Sequence, residues 1–266
     1  MKVWRAIRIE AGGLRWHLHP NTDPVPLRRI LQDPEAYLTD PTHYLKHEQV
    51  VTVARVPAAA PGQPDLVLRR LNYGKPLHRL RDLFRPTRVL RALRHGWRLE
   101  AAGVPTPRAL AAAEKRRFRW PVIAYLVTEE VPGAITLARY FAKNQRLSPA
   151  VIRRLAMAVA HLHQAGYSHR DLQWTNVLLD RELRPWVIDL DGLRGVGWGG
   201  DRRREGDLAR LARDFRQHPR LLKWGGCRFL RHYCRARGRD GDYRRLARGI
   251  ASRMTARIPQ TQAGRR

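Results

Sequence analysis

Asp171 stands in the run Ser168-His169-Arg170-Asp171-Leu172-Gln173-Trp174-Thr175-Asn176-Val177-Leu178-Leu179, with Asn176 five residues on. Thirteen residues beyond Asn176, Asp189 closes the stretch Trp186-Val187-Ile188 and is followed by Leu190-Asp191-Gly192. Moving a phosphoryl group asks little covalent help of a protein. It needs a carboxylate that orients a hydroxyl and accepts its proton, and oxygens of the kind a phosphate-bound Mg²⁺ accepts. Asp171 is a candidate for the first task; Asn176 and Asp189 offer a neutral and an anionic oxygen for the second. His169 and Arg170 are expected to brace the loop. The alternative is that His-Arg-Asp is a helix-ending turn and Asn176 a cap. The flanking apolar strands, together with Asn176 and Asp189, weigh against it.

The order and spacing of these residues resemble the catalytic loop and metal-binding segment of protein-kinase-like enzymes. Just upstream, Leu162-His163-Gln164-Ala165-Gly166-Tyr167 reads as a helix C-terminus with its Gly stop. His161 and His163 stand two apart on that helix and point to nearly opposite sides, so they cannot share a metal and are expected to be structural or surface histidines. Asp207, after Gly206, is expected at the start of a helix, where it either caps that helix or holds the loop backbone; capping is the favoured reading.

The elements that must position these residues follow from pattern. Ala11-Gly12-Gly13 is a turn between short strand-like runs from Arg8 to Leu18, and a short helix is expected over Val25 to Gln32. Val50 to Val56 and Leu66 to Leu71 read as a hairpin with a long Pro-rich loop. Thr87 to Ala102 is helical by its spacing: Val89, Leu90, Leu93 and Trp97 share one side, Arg88, Arg91, Arg94 and Arg98 another. Val122 to Thr128 is a strand. The turn signal Pro132-Gly133 places the lobe boundary here, with residues 1–130 as an N-terminal nucleotide-binding lobe and 131–266 as a C-terminal catalytic lobe. Helices are expected over Leu137 to Lys143, Pro149 to Ala165, Asp207 to Phe215, Leu221 to Cys234 and Tyr243 to Met254. Val177 to Leu179 and Trp186 to Ile188 should form a small strand pair, and the last dozen residues look frayed. Strands first and helices second give an α+β class, two lobes with a cleft between them: an N-terminal antiparallel sheet plus helix, then a mainly helical lobe.

The 266 residues, 43% hydrophobic, suit a folded protein with one large or two small cores. No run of about 20 apolar residues exists, so no transmembrane segment is expected. Met1-Lys2-Val3-Trp4-Arg5 lacks the apolar stretch of a secretory signal, and a cytoplasmic chain is expected. Cys227 and Cys234, seven apart in a helix-prone segment, would have α-carbons about 10 Å apart, beyond disulfide reach, and read as free thiols. The net charge of +29 is nearly all arginine, which binds phosphate and carboxylate through a planar fork. Nucleic acid, an anionic membrane surface and a phosphorylated glycolipid would each suit it, as would solvated charge with no partner.

A narrower resemblance rests on Leu66-Val67-Leu68-Arg69-Arg70-Leu71-Asn72, Leu93 to Pro107 with Ala101-Ala102-Gly103-Val104-Pro105-Thr106-Pro107, Tyr125-Leu126-Val127-Thr128-Glu129, and the loop around Asp171. Over roughly residues 50 to 215 the chain resembles the bacterial lipopolysaccharide core kinases (Kdo/WaaP-like), which are similar to protein kinases in fold. The resemblance implies transfer of the γ-phosphate of ATP, with Mg²⁺, to a Kdo or heptose hydroxyl of the inner core. It gives Asp171 the base role, Asn176 and Asp189 the metal roles, and the stretch from Glu129 to Val131 the hinge beside the adenine. The phosphate-contacting Lys falls at position 69, where this chain has Arg69. Glu100 is the one carboxylate available in Arg88 to Gly103 to pair with it, and no Gly-rich loop precedes Val50. The implied partners are the core glycolipid and the anionic inner-membrane surface, on which the chain would be peripheral. Arg88, Arg91, Arg94 and Arg98, Arg202 to Arg204 and Arg244-Arg245 are the clusters suited to it. Two alternatives remain: a kinase-fold binding protein with catalysis degraded at Arg69, and an RNA-associated kinase. Nucleic acid is disfavoured, since no aromatic-interleaved basic motif of the usual RNA-binding modules is present.

Overall fold

Gly12 and Gly13, at φ 57 and 68, close a two-residue hairpin between β1 (Ile7–Ala11) and β2 (Leu14–Leu18). Both turn positions need the left-handed backbone that glycine adopts without strain. The computed structural model describes residues 6–73, 86–118, 120–197, 200–215 and 218–255. The frayed C-terminus expected above lies, from residue 256 on, outside the described residues, as do residues 1–5. The chain divides into two compact units, Met1–Ala134 with Val187–Asp191, and Ile135–Trp186 with Gly192–Arg266.

The first unit continues with helix α1 (Arg28–Gln32), then β3 (Tyr44–His47), β4 (Val51–Val56), β5 (Leu66–Asn72), helix α2 (Arg88–Ala101), β6 (Ala109–Arg117) and β7 (Trp120–Glu129). Its strands form one antiparallel sheet in the order β1-β2-β6-β7-β5-β4-β3. Alternation along β4 and β5 turns Ala54, Val56, Leu66 and Leu68 into a core with Trp16, Leu18, Leu27, Ile30 and Tyr125. Helix α1 starts three residues later than expected, because Pro24 to Leu27 form a turn in which Leu27 N–H donates to the Pro24 carbonyl. Strand β6 is not marked by its sequence, since Ala109-Leu-Ala-Ala-Ala favours helix in isolation. It is a strand because it is buried on both faces, and small side chains let α2 lie close. A Cβ added at Gly96 of α2 would stand 2.8 Å from the Ala109 Cβ.

The second unit holds β8 (Ile135–Thr136), α3 (Leu137–Asn144), α4 (Pro149–Gln164), β9 (Tyr167–His169), β10 (Val177–Leu179), the start of β11 (Pro185–Val187), β12 (Leu193–Gly195), α5 (Gly200–Arg213), α6 (Pro219–Ala236) and α7 (Tyr243–Thr255). Ser148 caps α4 by accepting from Val151 N–H, with Pro149 at the first helical position, and Gly166 at φ 83 ends it as its position predicts. The core runs from Leu137, Phe141 and Leu155 through Val177 and Leu179 to Leu208, Tyr233 and Ile250. Helix α5 begins seven residues before the expected Asp207; Gly206 lies inside it rather than ahead of it. Cys227 and Cys234 are both free thiols.

Two outcomes are expected from α2. Gly96→Ala should cost about 1–3 kcal/mol in urea unfolding, since backbone and Ala109 must move apart; an unchanged midpoint would contradict the close approach. His95 is held down to about 4 by burial, with Arg98 and Arg91 adding to it. The unfolded imidazole takes its proton near 6.5 and the folded one only near 4. Stability should therefore be level above pH 6.5, fall on acidification, and level again below pH 4, by at most about 3 kcal/mol. His95→Gln should flatten that slope.

Candidate active site

In the second unit the loop carrying Asp171 is tied from beneath. Strand β9 pairs with β12, His169 opposite Leu193, so the backbone enters the loop from a small buried ladder. The His169 backbone N–H donates to Asp207 Oδ2 at 2.7 Å. Asp207 is fully buried, inside α5, and the capping role expected of it is wrong: it holds the loop backbone. His163 Nε2 lies 3.2 Å from the same oxygen and its Nδ1 lies 2.7 Å from Tyr233 Oη. Burial lowers the His163 pKa despite Asp207, so the ring is neutral. A carboxylate only accepts, which puts the proton on Nε2 and makes Nδ1 the acceptor for the Tyr233 hydroxyl. Arg210 completes the set through Asp207 Oδ1 at 3.1 Å.

Above this support the loop folds on itself. Asp171 N–H donates to His169 Nδ1 at 3.2 Å and Arg170 N–H to the Gly192 carbonyl, which fits the bracing expected of the pair. The Asn176 amide donates to the Asp171 carbonyl at 2.9 Å and to its Oδ2 at 3.2 Å, while Gln173 Nε2 reaches Oδ2 at 2.9 Å. With both donations on the Nδ2 side, the Asn176 Oδ1 oxygen is the end left for a cation. Trp174 N–H donates to Asp214 at 2.7 Å, and its ring N–H to the Leu211 carbonyl. Burial pushes Asp214 up, and the Asp171 charge adds to that shift. Neither Gln173 nor Asp214 stood out in the sequence; a lone Asp after a helix carries no spacing signal.

In the first unit, Arg69 on β5 bridges two carboxylates. Its Nη1 donates to Asp189 Oδ1 at 2.8 Å and its Nη2 to Asp191 Oδ2 at 3.2 Å. The segment that brings them is fixed by Val187 N–H to the Pro105 carbonyl and by Thr106 Oγ1 to the Val187 carbonyl. Asp189 sits at φ 60, a strained backbone for a non-glycine residue. Burial pulls the Arg69 guanidinium down, but Asp191 and Asp189 outweigh it and hold its pKa up. Burial pushes Asp191 up, Asp189 adds to this, and Arg69 opposes it. Glu100 is not at Arg69: it faces His19 at 3.7 Å and Arg108 at 3.3 Å. The Glu129 side chain pairs with Arg108 at 3.3 Å and borders a hollow of about 230 Å³ with Thr22, Leu27 and Leu66, while Val131 is buried.

Among the described residues no group of three or more His, Cys, Asp or Glu side chains is arranged to hold a metal unaided. Magnesium in phosphoryl transfer needs less, one or two carboxylates with phosphate and water. The half-exposed Asp189 carboxylate, with Oδ2 unpartnered among the described residues, fits that demand.

The profile of the lipopolysaccharide kinase (Kdo/WaaP) family matches residues 65–233. The chain belongs to this family. Among curated relatives, a 3-deoxy-D-manno-octulosonic acid kinase of Vibrio vulnificus is 30% identical over 131 residues, covering 47% of this chain and 52% of that one. One of Vibrio cholerae is 32% identical over 129 residues, covering 47% and 53%. The chain thus spans about half the length of the curated relatives it matches. A solved structure of WaaP in complex with acyl carrier protein matches with a TM-score of 0.58 at 23% identity, over 86% of this chain and 95% of that one. That likeness shows the fold: the α+β class expected from the element order, in the protein-kinase-like form that the resemblance implied.

Arg69 stands where the resemblance placed a lysine, and its fork engages Asp191 as well as Asp189. An ammonium point charge cannot span two carboxylates as a fork does. Arg69→Lys should therefore leave Asp191 short of its counter-charge and cost about 1–3 kcal/mol of stability. The cycle with Asp191→Asn should show a coupling of about 0.5–3 kcal/mol by urea unfolding. Strict additivity would mean the bridge contributes nothing.

Proposed function

We propose that the chain is a kinase that transfers the γ-phosphate of ATP to a Kdo or heptose hydroxyl of the lipopolysaccharide inner core. The observation that carries this reading is the loop around Asp171: an exposed carboxylate, oriented by Asn176 and Gln173, on a backbone fixed by the buried Asp207. In this mechanism Asp171 orients the sugar hydroxyl and accepts its proton as the oxygen bonds to the γ-phosphorus and the bond from that phosphorus to the bridging oxygen breaks, releasing ADP. Asn176 in the second unit and Asp189 in the first are the residues that would hold Mg²⁺, which would neutralise charge on the phosphates. Arg69 holds Asp189 through Nη1 and adds a fixed positive charge beside it. The backbone from Glu129 to Val131 takes the adenine. The acceptor is borne by a membrane, and no helix in the described residues is long and apolar enough to cross one, so a peripheral position on an anionic inner-membrane face follows from the same reading.

A binding protein with lost catalysis is the second reading, favoured by the Arg69 substitution alone. The two separate cleanly. With purified core glycolipid and ATP labelled at the γ-phosphate, Asp171→Asn should lower transfer by about a hundredfold or more, as loss of a general base does. Equal labelling by variant and wild type would remove Asp171 from the chemistry. No labelling by wild type, and no thermal stabilisation by Mg²⁺ with ATP, would favour the binding protein.

A further inference from the structure

Helices α4 and α6 pack together within the second unit, burying Val151, Ile152 and Leu155 of one and Leu230, Tyr233 and Cys234 of the other in the same core. Their outer sides face solvent. Along α6 the exposed residues Trp224, Cys227, Arg228, Arg231 and Arg235 recur at three- and four-residue steps and so form one stripe. On α4 the exposed pair Arg153 and Met157, four apart, forms a second ridge. Ile152, next to Arg153, lies 3.4 Å from where a Cβ at Gly225, next to Trp224, would stand, so the helices meet beside both ridges. His232 of α6 is lowered by burial first and then by Arg153, Arg228, Arg235 and Arg231, so charges of both helices act on one imidazole.

The arginines of this cluster meet little carboxylate. Arg153 and Arg228 have no carboxylate partner among the described residues, and Arg231 lies over the Tyr243 ring at 5.9 Å. Arg235 has only a 3.7 Å approach to Asp240, with both side chains largely in water. The apolar content is unusual as well. Trp224 is 77% exposed and Met157 41%, so an indole and a thioether stand in solvent beside these cations. Nucleic acid would account for the charge and the indole, but an exposed apolar thioether beside them suits an acyl boundary better than a polyanion. An indole with neighbouring guanidiniums is the composition that settles at headgroup level, the ring entering the acyl boundary while the cations meet phosphate.

We propose that the α4–α6 face, through Arg153, Arg228, Arg231, Arg235 and Trp224, docks the protein on a bilayer carrying anionic phospholipid. The proposal deepens the reading above, since it supplies the surface by which a membrane-borne acceptor is reached, and it assigns the contact to a different place from the clusters on α2 and at the start of α5. Each basic residue near such a surface contributes roughly fivefold in affinity, which makes the docking reversible.

The test is co-sedimentation of the full chain with large vesicles of phosphatidylcholine, with and without a minor fraction of phosphatidylglycerol. Binding is expected only with the anionic lipid. Arg228→Glu with Arg231→Glu should weaken it roughly a hundredfold or more, at the scale of several such charges. Arg28→Glu with Arg29→Glu, the same charge change at exposed positions of α1, should leave it within about threefold. Trp224→Ala should weaken it by about tenfold. Should the double variant of α6 fail to fold by circular dichroism, Arg153→Gln serves in its place, with about a fivefold loss expected. Equal loss in the α1 and α6 variants would mean net charge rather than this face, and overturns the proposal. So does unchanged vesicle binding in the α6 variant, or single-stranded RNA displacing the vesicles from these arginines. Vesicle binding with no phosphate transfer would remove the function proposed above and leave this surface standing. Transfer to a vesicle-borne acceptor undiminished in the α6 variant would do the reverse.

Discussion

A carboxylate with no exposed surface, Asp207, is the constraint on which the proposed catalytic loop depends. Burying such a group is tolerable only when its oxygens are fully engaged. Here the His169 backbone N–H, the neutral His163 ring and Arg210 engage them. The consequence is a division of labour within a few residues. The backbone of the loop is fixed from the interior by groups that never meet water, so Asp171 can stand exposed and still be held in place. A reacting group on a loop needs that combination, because catalysis asks for fixed geometry where substrate and solvent both have access.

The first unit solves a second positioning problem with different residues from those the family resemblance led one to expect. Where the resemblance implied a strand lysine paired with a helix glutamate, the structure has a strand arginine bridged to Asp189 and Asp191. The helix carboxylate, Glu100, is committed to His19 and Arg108 instead. The change is internally consistent. A fork with two donor nitrogens calls for two acceptors, and Asp191 stands two residues from Asp189 on a segment already pinned to Pro105 and Thr106. Arg69 alone reads as a lost lysine; with Asp191 it reads as a substitute arrangement.

Much of this was legible in the chain. The helices around Leu93, Leu155 and Tyr243 show their apolar periodicity, and Gly12-Gly13, Ser148-Pro149 and Gly166 mark their own turns and caps. The spacing of Asp171, Asn176 and Asp189 is what the proposed chemistry rests on. What escaped depends on partners far away in sequence. Ala109 to Ala113 has helical propensity and becomes strand only because α2 covers it. Gly206 looks like a helix boundary, and that appearance hid the support role of Asp207, whose partners lie at positions 163 and 169. Asp191 was passed over because nothing local distinguishes it from a turn residue after Asp189. Long-range electrostatic pairings of this kind leave no periodic trace.

The account comes down to whether this chain adds phosphate to an inner-core sugar. The most direct measurement is mass spectrometry of the purified core glycolipid after incubation with the protein, ATP and Mg²⁺. One added phosphate per acceptor is expected, located on a Kdo or heptose residue, and absent when Mg²⁺ is chelated. An acceptor of unchanged mass under conditions where the protein is folded and binds nucleotide would contradict it.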